Sequence, residues 1–264
     1  MALTLSVVIP VKDDAPALAR CLAALAAQSD APFEVVVVDN GSTDDSASVA
    51  RAGGARVVEE PRPGIPAAAA TGYDAVRGDV IVRCDADTVA EPDWLARIRQ
   101  AFEEDPTLEA ITGSGDFYDV VTPRARLLHR FYLGTYYASM HAALAQVPLW
   151  GSNMALLTAR WRAVSGQVHR IDPELHDDVD LAMVLGPALR VRYDRSLRVG
   201  VSARSLRGGA EGRRRMRRAF RTLRLNWRAS PPWERWSVRL QAARRHQRGA
   251  RPAAPPGAPP GARI

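Results

Sequence analysis

Short apolar runs rich in β-branched residues alternate with helix-like segments through the first half of the chain. The first three lie at residues 3–10, 33–38 and 55–59, and the fourth lies at residues 80–82 in a strand that ends at Asp85. Between them, residues 15–28 carry apolar positions at helical spacing, and residues 66–77 are rich in alanine. The short runs indicate buried strands, and the longer segments indicate helices that pack on them. Strands and helices that alternate over short connections predict a parallel, doubly wound α/β sheet.

The alternation is less regular after residue 88. Helical patterns cover residues 91–102, 124–147 and 179–185, and the second of these is unusually aromatic. Strand-like runs cover residues 108–113 and about 189–193, with a flexible turn predicted at Gly113-Ser114-Gly115-Asp116. The turn after residue 39 contains Ser42 and Thr43, and either hydroxyl is a candidate cap for a following helix. The α/β pattern therefore continues to about residue 205.

The last quarter of the chain has a different composition. Residues 211–228 predict a basic amphipathic helix, with an apolar side made of Met216, Phe220, Leu223 and Trp227. Residues 249–264 form a Pro/Ala/Gly tail that cannot bury enough apolar surface to fold. We therefore predict an α/β domain over residues 1–205, a basic helical region over 206–248 and a disordered tail over 249–264.

Charge is distributed unevenly along the chain. The protein of 264 residues has a net charge of +7 from 36 basic and 29 acidic residues. Residues 201–264 hold 17 arginines against Glu211 and Glu234, a net of +15. The preceding 200 residues hold the other 19 basic and 27 acidic residues, a net of −8. The basic helix has three interpretations: docking on an anionic membrane surface, a solvated face, or nucleic-acid binding, which the acidic body opposes.

Cysteine content and hydropathy predict the location of the protein. Met1 leads directly into a predicted strand without a basic leader, and no apolar run reaches the roughly 18 residues of a membrane span. Cys21 and Cys84 lack zinc-like spacing, which predicts free, buried thiols in a reducing compartment. We expect a cytoplasmic protein, with peripheral binding at the inner face of the cell membrane as an option through the basic helix.

Two carboxylates follow the strand that ends near residue 85. Asp85 and Asp87 lie one residue apart at its carboxyl end. Ligands of open α/β sheets bind beyond the carboxyl ends of the strands, and carboxylates there are hard ligands suited to Mg²⁺ or Mn²⁺. The alternative is structural: Asp87 caps the next helix and Asp85 is a turn residue. The pair alone does not decide between these interpretations.

Five motifs in order resemble the family 2 inverting glycosyltransferases with a GT-A fold. They read SVVIPVKDD, VVVVDNGSTDD, RPGIPAAAATGYDAVRGDVIVRCDADT, WGSNMAL and HDDVDLA, and the resemblance covers about residues 3–190. The first loop departs from the common Ala-Tyr-Asn-Glu, and Asp177-Asp178 stands where Glu-Asp is commoner. No Gln-x-x-Arg-Trp motif follows, which argues against a processive polysaccharide synthase.

The resemblance implies both a fold and an activity. The fold is α/β, a GT-A-like Rossmann-type sandwich with a mostly parallel central sheet and helices on both faces. Its nucleotide-binding half covers about residues 1–115 and its acceptor-side half about 116–205. The implied activity is non-processive transfer of a sugar from a UDP- or GDP-linked donor to an acceptor hydroxyl, with inversion and with Mg²⁺ or Mn²⁺. The acceptor is a saccharide, a lipid-linked molecule or a small molecule.

The resemblance also implies roles for individual residues on the donor side. Asp39 would bind the base and ribose, Pro10 and Val11 would line the base pocket, and Asp87 with Asp85 would hold the metal. The full set implied for the nucleotide sugar is Pro10, Val11, Asp39, Arg62, Gly64, Asp85 and Ala86. Arg62 or Arg83 would contact phosphate, although a solvated turn is an equal alternative for Arg62.

On the acceptor side, the resemblance makes Asp178 the general base, with Asp177 and Asp180 as competing candidates. Residues Trp150, Gly151, Ser152 and Asn153 would form the acceptor floor together with Asp177. Trp150 would stack on a sugar face or pack in the core. His176 is a candidate metal ligand or an ordinary surface or core histidine. Taken without the other motifs, the acidic cluster is also consistent with the first turn of a helix.

Two other functions are compatible with this fold. A sugar-phosphate nucleotidyltransferase is one, but its first loop is typically Gly-rich and basic, whereas this loop reads VKDDAPAL. A non-catalytic protein that kept the fold for binding is the other. Metal-dependent binding of nucleotide sugars distinguishes an enzyme from such a scaffold.

Overall fold

The computed structural model describes residues 3–120, 123–206 and 209–249, without the side chains of residues 123–133, 205–206, 210–211 and 246–249. Of the tail predicted over 249–264, only Gly249, the last residue of the final helix, falls within them. The strands are β1 (Leu5–Val11), β2 (Glu34–Asp39), β3 (Arg56–Glu59), β4 (Val80–Arg83), β5 (Val89–Ala90), β6 (Ala110–Phe117), β7 (Met154–Leu157) and β8 (Val191–Val201).

Strands and helices alternate from the first strand to the fourth, and two helices follow one another near the end of the described chain. The helices are α1 (Ala15–Ala26), α2 (Ser46–Ala52), α3 (Ile65–Ala75), α4 (Trp94–Glu104), α5 (Pro123–Leu144), α6 (Thr158–Val164), α7 (Asp177–Leu185), α8 (Gly209–Trp227) and α9 (Pro232–Gly249), with a short 3-10 helix at Ala203–Leu206.

All eight strands belong to one sheet, in the order β3-β2-β1-β4-β7-β6-β8-β5. The pairs β2–β3, β1–β2, β1–β4 and β6–β8 are parallel, whereas β4–β7, β6–β7 and β5–β8 are antiparallel. Apolar side chains from α1 and α4, such as Leu18 and Ile98, pack on one face of the sheet. Residues from α3 and α7, such as Ala69 and Leu181, pack on the other face. The predicted α/β fold with a mostly parallel sheet is therefore confirmed.

Two local predictions were wrong. The flexible turn at Gly113–Asp116 lies inside strand β6, whose residues pair with β8 from Ala110 to Phe117. The glycine composition there reflects close packing, since a Cβ at Gly115 would collide with the ring of Trp150. Ser42 and Thr43 do not cap α2, because the Asp44 carboxylate accepts the amide hydrogen of Ser46 at 3.0 Å.

The cysteines lie where the sequence predicted. Cys21 and Cys84 are free and buried, with their Sγ atoms 3.9 Å apart. They lie between α1 and the end of β4, on the core side of the strand end that carries Asp85. They belong to the hydrophobic core.

The basic helix predicted over 211–228 is observed as α8, but its apolar side is divided. Leu223 is buried and Trp227 packs against the core, whereas Met216 and Phe220 are exposed to 56% and 63%. Among the residues that the structure describes, no helix combines the length and hydropathy needed to cross a bilayer.

Candidate active site

The carboxyl ends of the parallel strands bring the predicted donor-side residues to one edge of the sheet. Val11 of β1 is in register with Asp39 of β2, and the amide of Asn40 donates to the carbonyl of Val11 at 2.9 Å. β4 lies on the other side of β1, and the amide of Cys84 donates to the carbonyl of Val8 at 3.3 Å. Pro10, Val11, Asp39 and Asp85 therefore face the same edge, as the sequence predicted for a nucleotide site.

Asp85 and Asp87 occupy a turn that follows β4. The turn is closed by the Thr88 amide, which donates to the carbonyl of Asp85 at 3.0 Å, and Ala86 is buried inside it. Helix α4 begins only at Trp94, with Asp93 in the preceding position, so the interpretation of Asp87 as a helix cap is wrong. Burial, followed by the charge of Asp85, raises the pKa of Asp87 to about 6. The side chains of Asp85 and Asp87 are 37% and 22% exposed, and two neighbouring carboxylates that remain accessible form a site that favours a cation.

The donor set fits a hard divalent cation shared with a substrate. No group of three or more His, Cys, Asp or Glu side chains suited to a metal occurs within the described ranges. Mg²⁺ is usually held by one or two carboxylates, and substrate phosphates and water complete its coordination. Asp85 and Asp87 supply such a pair, and the Asp87 carboxylate makes a long contact with Arg204, 3.5 Å from Oδ2 to Nη2.

Arg83 lies beneath this turn and connects both acidic clusters. Its side chain is 3% exposed, its Nη2 lies 3.1 Å from Asp85 Oδ1, and its Nη1 forms an ion pair with Asp177. Although burial disfavours its charge, the carboxylates, Asp177 first, hold the pKa of Arg83 above its ordinary value. The guanidinium is enclosed by these carboxylates, so the expectation that Arg83 contacts phosphate directly is corrected: Arg83 holds the acidic groups in place.

The segment 150–152 joins the donor-side and acceptor-side carboxylates. Ser152 Oγ donates to Asp85 Oδ2 at 2.5 Å, and the Gly151 amide donates to Asp178 Oδ2 at 3.0 Å. A Cβ at Gly151 would collide with the guanidinium of Arg83, which explains the glycine at this position. Residues distant in sequence thus meet in one continuous hydrogen-bonded network.

The neighbouring floor residues differ in exposure. Trp150 is partly buried, with its ring against Gly115 and its remaining surface accessible. Asn153 is fully buried, and its side chain bonds to the carbonyls of Ser114 and Leu197, both at 2.9 Å. Asn153 therefore supports the floor from below and does not line it, which corrects the sequence expectation.

Helix α7 presents its acidic first turn to the network. Asp178 is partly exposed, and its Oδ1 accepts the Val179 amide at 2.7 Å. Asp177 is engaged by Arg83, and Asp180 is buried, with its carboxylate bound to the His169 amide at 2.8 Å and to Asn226 at 2.8 Å. Asp177 and Asp178 are both partly exposed members of the network. Asp177 is held in an ion pair with Arg83, whereas Asp178 accepts hydrogen bonds from two backbone amides.

His176 forms hydrogen bonds with α8. Its amide donates to Thr222 Oγ1 at 2.9 Å, and its Nε2 lies 3.1 Å from the carbonyl of Arg215. The ring therefore packs between α7 and α8. This geometry favours the structural interpretation of His176 over metal ligation.

The loop from residue 60 to residue 64 is fixed by two residues that the sequence analysis did not select. Asn40 Nδ2 donates to the carbonyls of Glu60 and Arg62 at 2.8 and 2.7 Å, and its Oδ1 accepts the Gly64 amide at 2.8 Å. Gly64 has φ +115°, and a Cβ there would lie 2.9 Å from the backbone of Pro173. The buried Glu60 carboxylate binds Arg62 at 2.8 and 2.7 Å, and this interaction lowers the pKa of Glu60 to about 2.

Arg204 is a further site residue that the sequence analysis missed. It lies in the 3-10 helix after β8, and its Nη1 is 3.2 Å from Asp14 Oδ1 in the loop that follows β1. The same guanidinium approaches Asp87, and its side chain is 54% exposed. Arg204 is separated from Asp87 by more than a hundred positions, so no local pattern could connect them.

Comparison with known sequences supports the interpretation of these motifs. The profile of glycosyl transferase family 2 matches residues 6–162. An uncharacterized glycosyltransferase of Mycobacterium tuberculosis is 36% identical over 108 residues, which is 41% of this chain and 47% of that protein. The undecaprenyl-phosphate 4-deoxy-4-formamido-L-arabinose transferase of Sodalis glossinidius is 36% identical over 110 residues, 38% of this chain and 34% of that protein. The alignments thus span about half the length of these relatives or less.

Comparison with solved structures identifies the fold class. One similar structure is the glucosyl-3-phosphoglycerate synthase of Mycobacterium tuberculosis with Mn²⁺, UDP and glucosyl-3-phosphoglycerate, with TM-score 0.61, 20% identity and coverage of 85% of this chain and 80% of that chain. Another is a mannosyltransferase from Pyrobaculum calidifontis with GDP-mannose and Mn²⁺, with TM-score 0.63, 21% identity and coverage of 95% and 77%. These similarities confirm the GT-A-like fold. The family profile matches more than half of the length of this chain, and the chain therefore belongs to glycosyl transferase family 2.

Proposed function

We propose that this protein transfers a sugar from a UDP- or GDP-linked donor to an acceptor hydroxyl, non-processively, with inversion and with the assistance of Mg²⁺ or Mn²⁺. One observation carries the proposal. The segment 150–152 links the donor-side carboxylate Asp85 to the acceptor-side carboxylate Asp178 through Ser152 and Gly151. The two groups that the reaction needs on opposite sides of the anomeric carbon are thereby held in one network.

The donor binds at the edge formed by β1, β2 and β4. Asp39 and the backbone at Pro10 and Val11 receive the base and ribose, and the loop with Arg62 and Gly64 closes the pocket. The ion pair with Glu60 fixes the position of the Arg62 guanidinium. Because 49% of the Arg62 side chain remains exposed, it can contact phosphate from this position. The solved structures of similar fold that contain UDP or GDP-mannose support a nucleoside-diphosphate sugar as donor.

Asp85 and Asp87 would hold the metal ion. The bound cation would act as a Lewis acid on the diphosphate leaving group. Ser152 and Arg83 fix the orientation of Asp85, and Arg204 lies close enough to Asp87 to provide a guanidinium for the diphosphate. Fixed donors and cations at the leaving group cost no reorganisation during the reaction.

Asp178 acts as the general base toward the acceptor hydroxyl. Its Oδ2 is oriented by the Gly151 amide and its Oδ1 by the Val179 amide, while the residue remains accessible. It accepts the proton as the acceptor oxygen bonds to the anomeric carbon and the bond to the diphosphate breaks on the other side. Direct displacement of this kind inverts the configuration. Trp150 and Asp177 belong to the acceptor side, where Trp150 offers an apolar ring surface for a sugar face.

The acceptor is a saccharide, a lipid-linked molecule or a small molecule. A relative from Sodalis glossinidius is named for transfer to undecaprenyl phosphate, and the synthase with a similar fold was crystallised with glucosyl-3-phosphoglycerate. We place the nucleotide-binding half at about residues 1–115 and the acceptor-side half at about 116–205.

Calorimetric titration with a panel of UDP- and GDP-sugars, with Mn²⁺ and with a chelator, tests the proposal. We expect one donor to bind with metal-dependent affinity. The anomeric configuration of the transferred sugar, measured by NMR, then reports inversion or retention. A protein that binds no nucleotide under any of these conditions would refute the enzyme and favour a scaffold.

A further inference from the structure

The outward side of α8 is a row of arginines. The helix carries seven arginines, and Arg228 follows its last residue. Residues 217, 221, 224 and 228 follow one another at helical spacing and therefore share one side. With Asp172, Glu174 and Phe220, they line an open groove of about 790 Å³.

Several of these arginines have no acidic partner in the part of the chain that the structure describes. Arg214 and Arg218 bind Glu174, and Arg221 binds Asp172, each within 3 Å. Arg217, Arg224 and Arg228 form no such ion pair among the described residues. The opposite side of α8 is held by the domain through the buried residues Thr222, Leu223 and Asn226. These three arginines are therefore not needed to attach the helix.

Apolar side chains accompany the charged row. Phe220 lines the same groove and is 63% exposed, and Met216 lies one turn earlier and is 56% exposed. Exposure of large apolar side chains to water is unfavourable. A helix with an aromatic residue among cationic side chains is typical of helices that lie at the surface of an anionic bilayer.

The groove is next to the acceptor side of the proposed active site. Glu174 and Asp172 lie in the segment that leads into α7, and α8 also binds that segment through Thr222 and the amide of His176. The next residues in the chain are Asp177 and Asp178. A ligand that binds to the arginines of α8 would therefore lie beside the acceptor side of the proposed active site.

We propose that α8 docks the protein on an anionic phospholipid surface through Arg217, Arg224, Arg228 and Phe220. The charge distribution favours a membrane over a nucleic acid. A flat bilayer contacts one side of the molecule, whereas a long polyanion would also approach the body, which carries a net charge of −8 over residues 1–200. Insertion of Phe220 among the lipid headgroups removes its ring from water. This inference does not depend on the proposed glycosyl transfer.

Sedimentation of the full chain with vesicles tests the docking surface. We expect binding to phosphatidylglycerol vesicles that weakens with added salt, and little binding to phosphatidylcholine vesicles. Replacement of Arg217, Arg224 and Arg228 by Gln should weaken binding roughly 100-fold, since each arginine near an anionic surface contributes about fivefold. The matched control replaces Arg20, Arg51 and Arg77 by Gln. These residues are also exposed, and the control makes the same change in net charge.

The control triple variant should bind within about threefold of the wild type. Phe220→Ser should weaken vesicle binding about tenfold without altering net charge. Thermal melts of all variants verify that the fold is kept. We expect no change in melting temperature, because the substituted side chains are exposed. The proposal is overturned by equal loss in both triple variants, by equal binding to the two vesicle types, or by binding to single-stranded RNA but not to vesicles.

Discussion

Substitution of Asp178 by Asn is the sharpest test of the proposed chemistry. The change keeps the size of the side chain and one oxygen, but it removes the charge and the capacity to accept a proton at neutral pH. Asp178 now accepts hydrogen bonds from the amides of Gly151 and Val179 at 3.0 and 2.7 Å. An asparagine can accept only one of them in the same orientation.

The structure separates the expected effect on stability from the effect on rate. Loss of one charge-assisted hydrogen bond at a partly exposed site costs about 1–2 kcal/mol, and loss of a negative charge at a helix N-terminus costs about 0.5 kcal/mol more. We therefore expect the free energy of unfolding to fall by about 2 kcal/mol. The rate of transfer should fall roughly 10²- to 10⁴-fold, which corresponds to about 3–5 kcal/mol in activation free energy.

Three measurements on the same protein sample distinguish these effects. Release of nucleoside diphosphate in a coupled assay gives the rate with the donor selected by calorimetry. Calorimetry with the nonreacting nucleoside diphosphate gives donor-side affinity, which should stay near that of the wild type because Asp178 lies on the acceptor side. Thermal unfolding gives the stability. All rates are compared well below the melting temperature of the least stable variant.

The neighbouring aspartates provide matched controls with the opposite pattern. Asp177→Asn removes one carboxylate partner of buried Arg83, which keeps Asp85, and should act mainly on stability. Asp180→Asn disturbs buried bonds to His169 and Asn226 and should also act mainly on stability. If Asp178→Asn transfers sugar near the wild-type rate while a folded neighbour variant is inactive, the assignment of the base to Asp178 is refuted.

Three further predictions address the metal site, the floor and the loop after β3. Asp87→Ala should reduce metal-dependent nucleotide affinity by more than the roughly 10- to 100-fold typical of outer-shell partners. The melting temperature should not fall, because burial of the charged Asp87 carboxylate costs stability at neutral pH. Calorimetry measures the affinity and thermal melts the stability, and an unchanged affinity would contradict the metal assignment. Gly151→Ala should cost about 1–3 kcal/mol because its Cβ meets the enclosed Arg83. Gly134→Ala, where nothing lies within 4 Å of the added Cβ, should instead stabilise by about 0.5–1 kcal/mol, and equal effects would refute the packing argument. The pKa of Glu60 is lowered from 4.5 to about 2 in the fold, so its contribution is present above pH 4.5 and is lost as the pH falls toward 2. Glu60→Gln should therefore lower the free energy of unfolding by about 2 kcal/mol at pH 7 and by nearly nothing at pH 2. Urea unfolding at both pH values measures this difference, and an equal loss at the two values would contradict the prediction.

The strand-end residues were predictable because their cause is local. A buried parallel strand needs a short run of apolar residues, and the polar residues that follow it must leave the sheet at its carboxyl edge. Pro10, Asp39 and Asp85 could therefore be placed at one edge from their positions along the chain. The turn predicted at residues 113–116 failed for the converse reason, since glycine in a strand also permits close approach by a neighbour such as Trp150.

The acceptor-side residues depended on contacts that no local pattern contains. Asp177, Asp178 and Asp180 are equivalent in the sequence, and only packing distinguishes them: the first is paired with Arg83, the second accepts two backbone amides, and the third is buried against α8. The roles of Arg83 and Asn153 changed for the same reason, because burial decides whether a polar side chain meets a ligand or the protein interior.

The sequence by itself determined the alternation of strands and helices, the acidic edge and the basic character of the C-terminal region, since these follow from periodicity and charge. Only the tertiary structure decided that Arg204 approaches Asp87, that Asn40 and Glu60 hold the loop of Arg62, and which side of α8 remains open. The physical reason is that hydrophobic periodicity specifies how each element packs against the core. The pairing of polar side chains is specified by distances between elements, which exist only after the chain has folded.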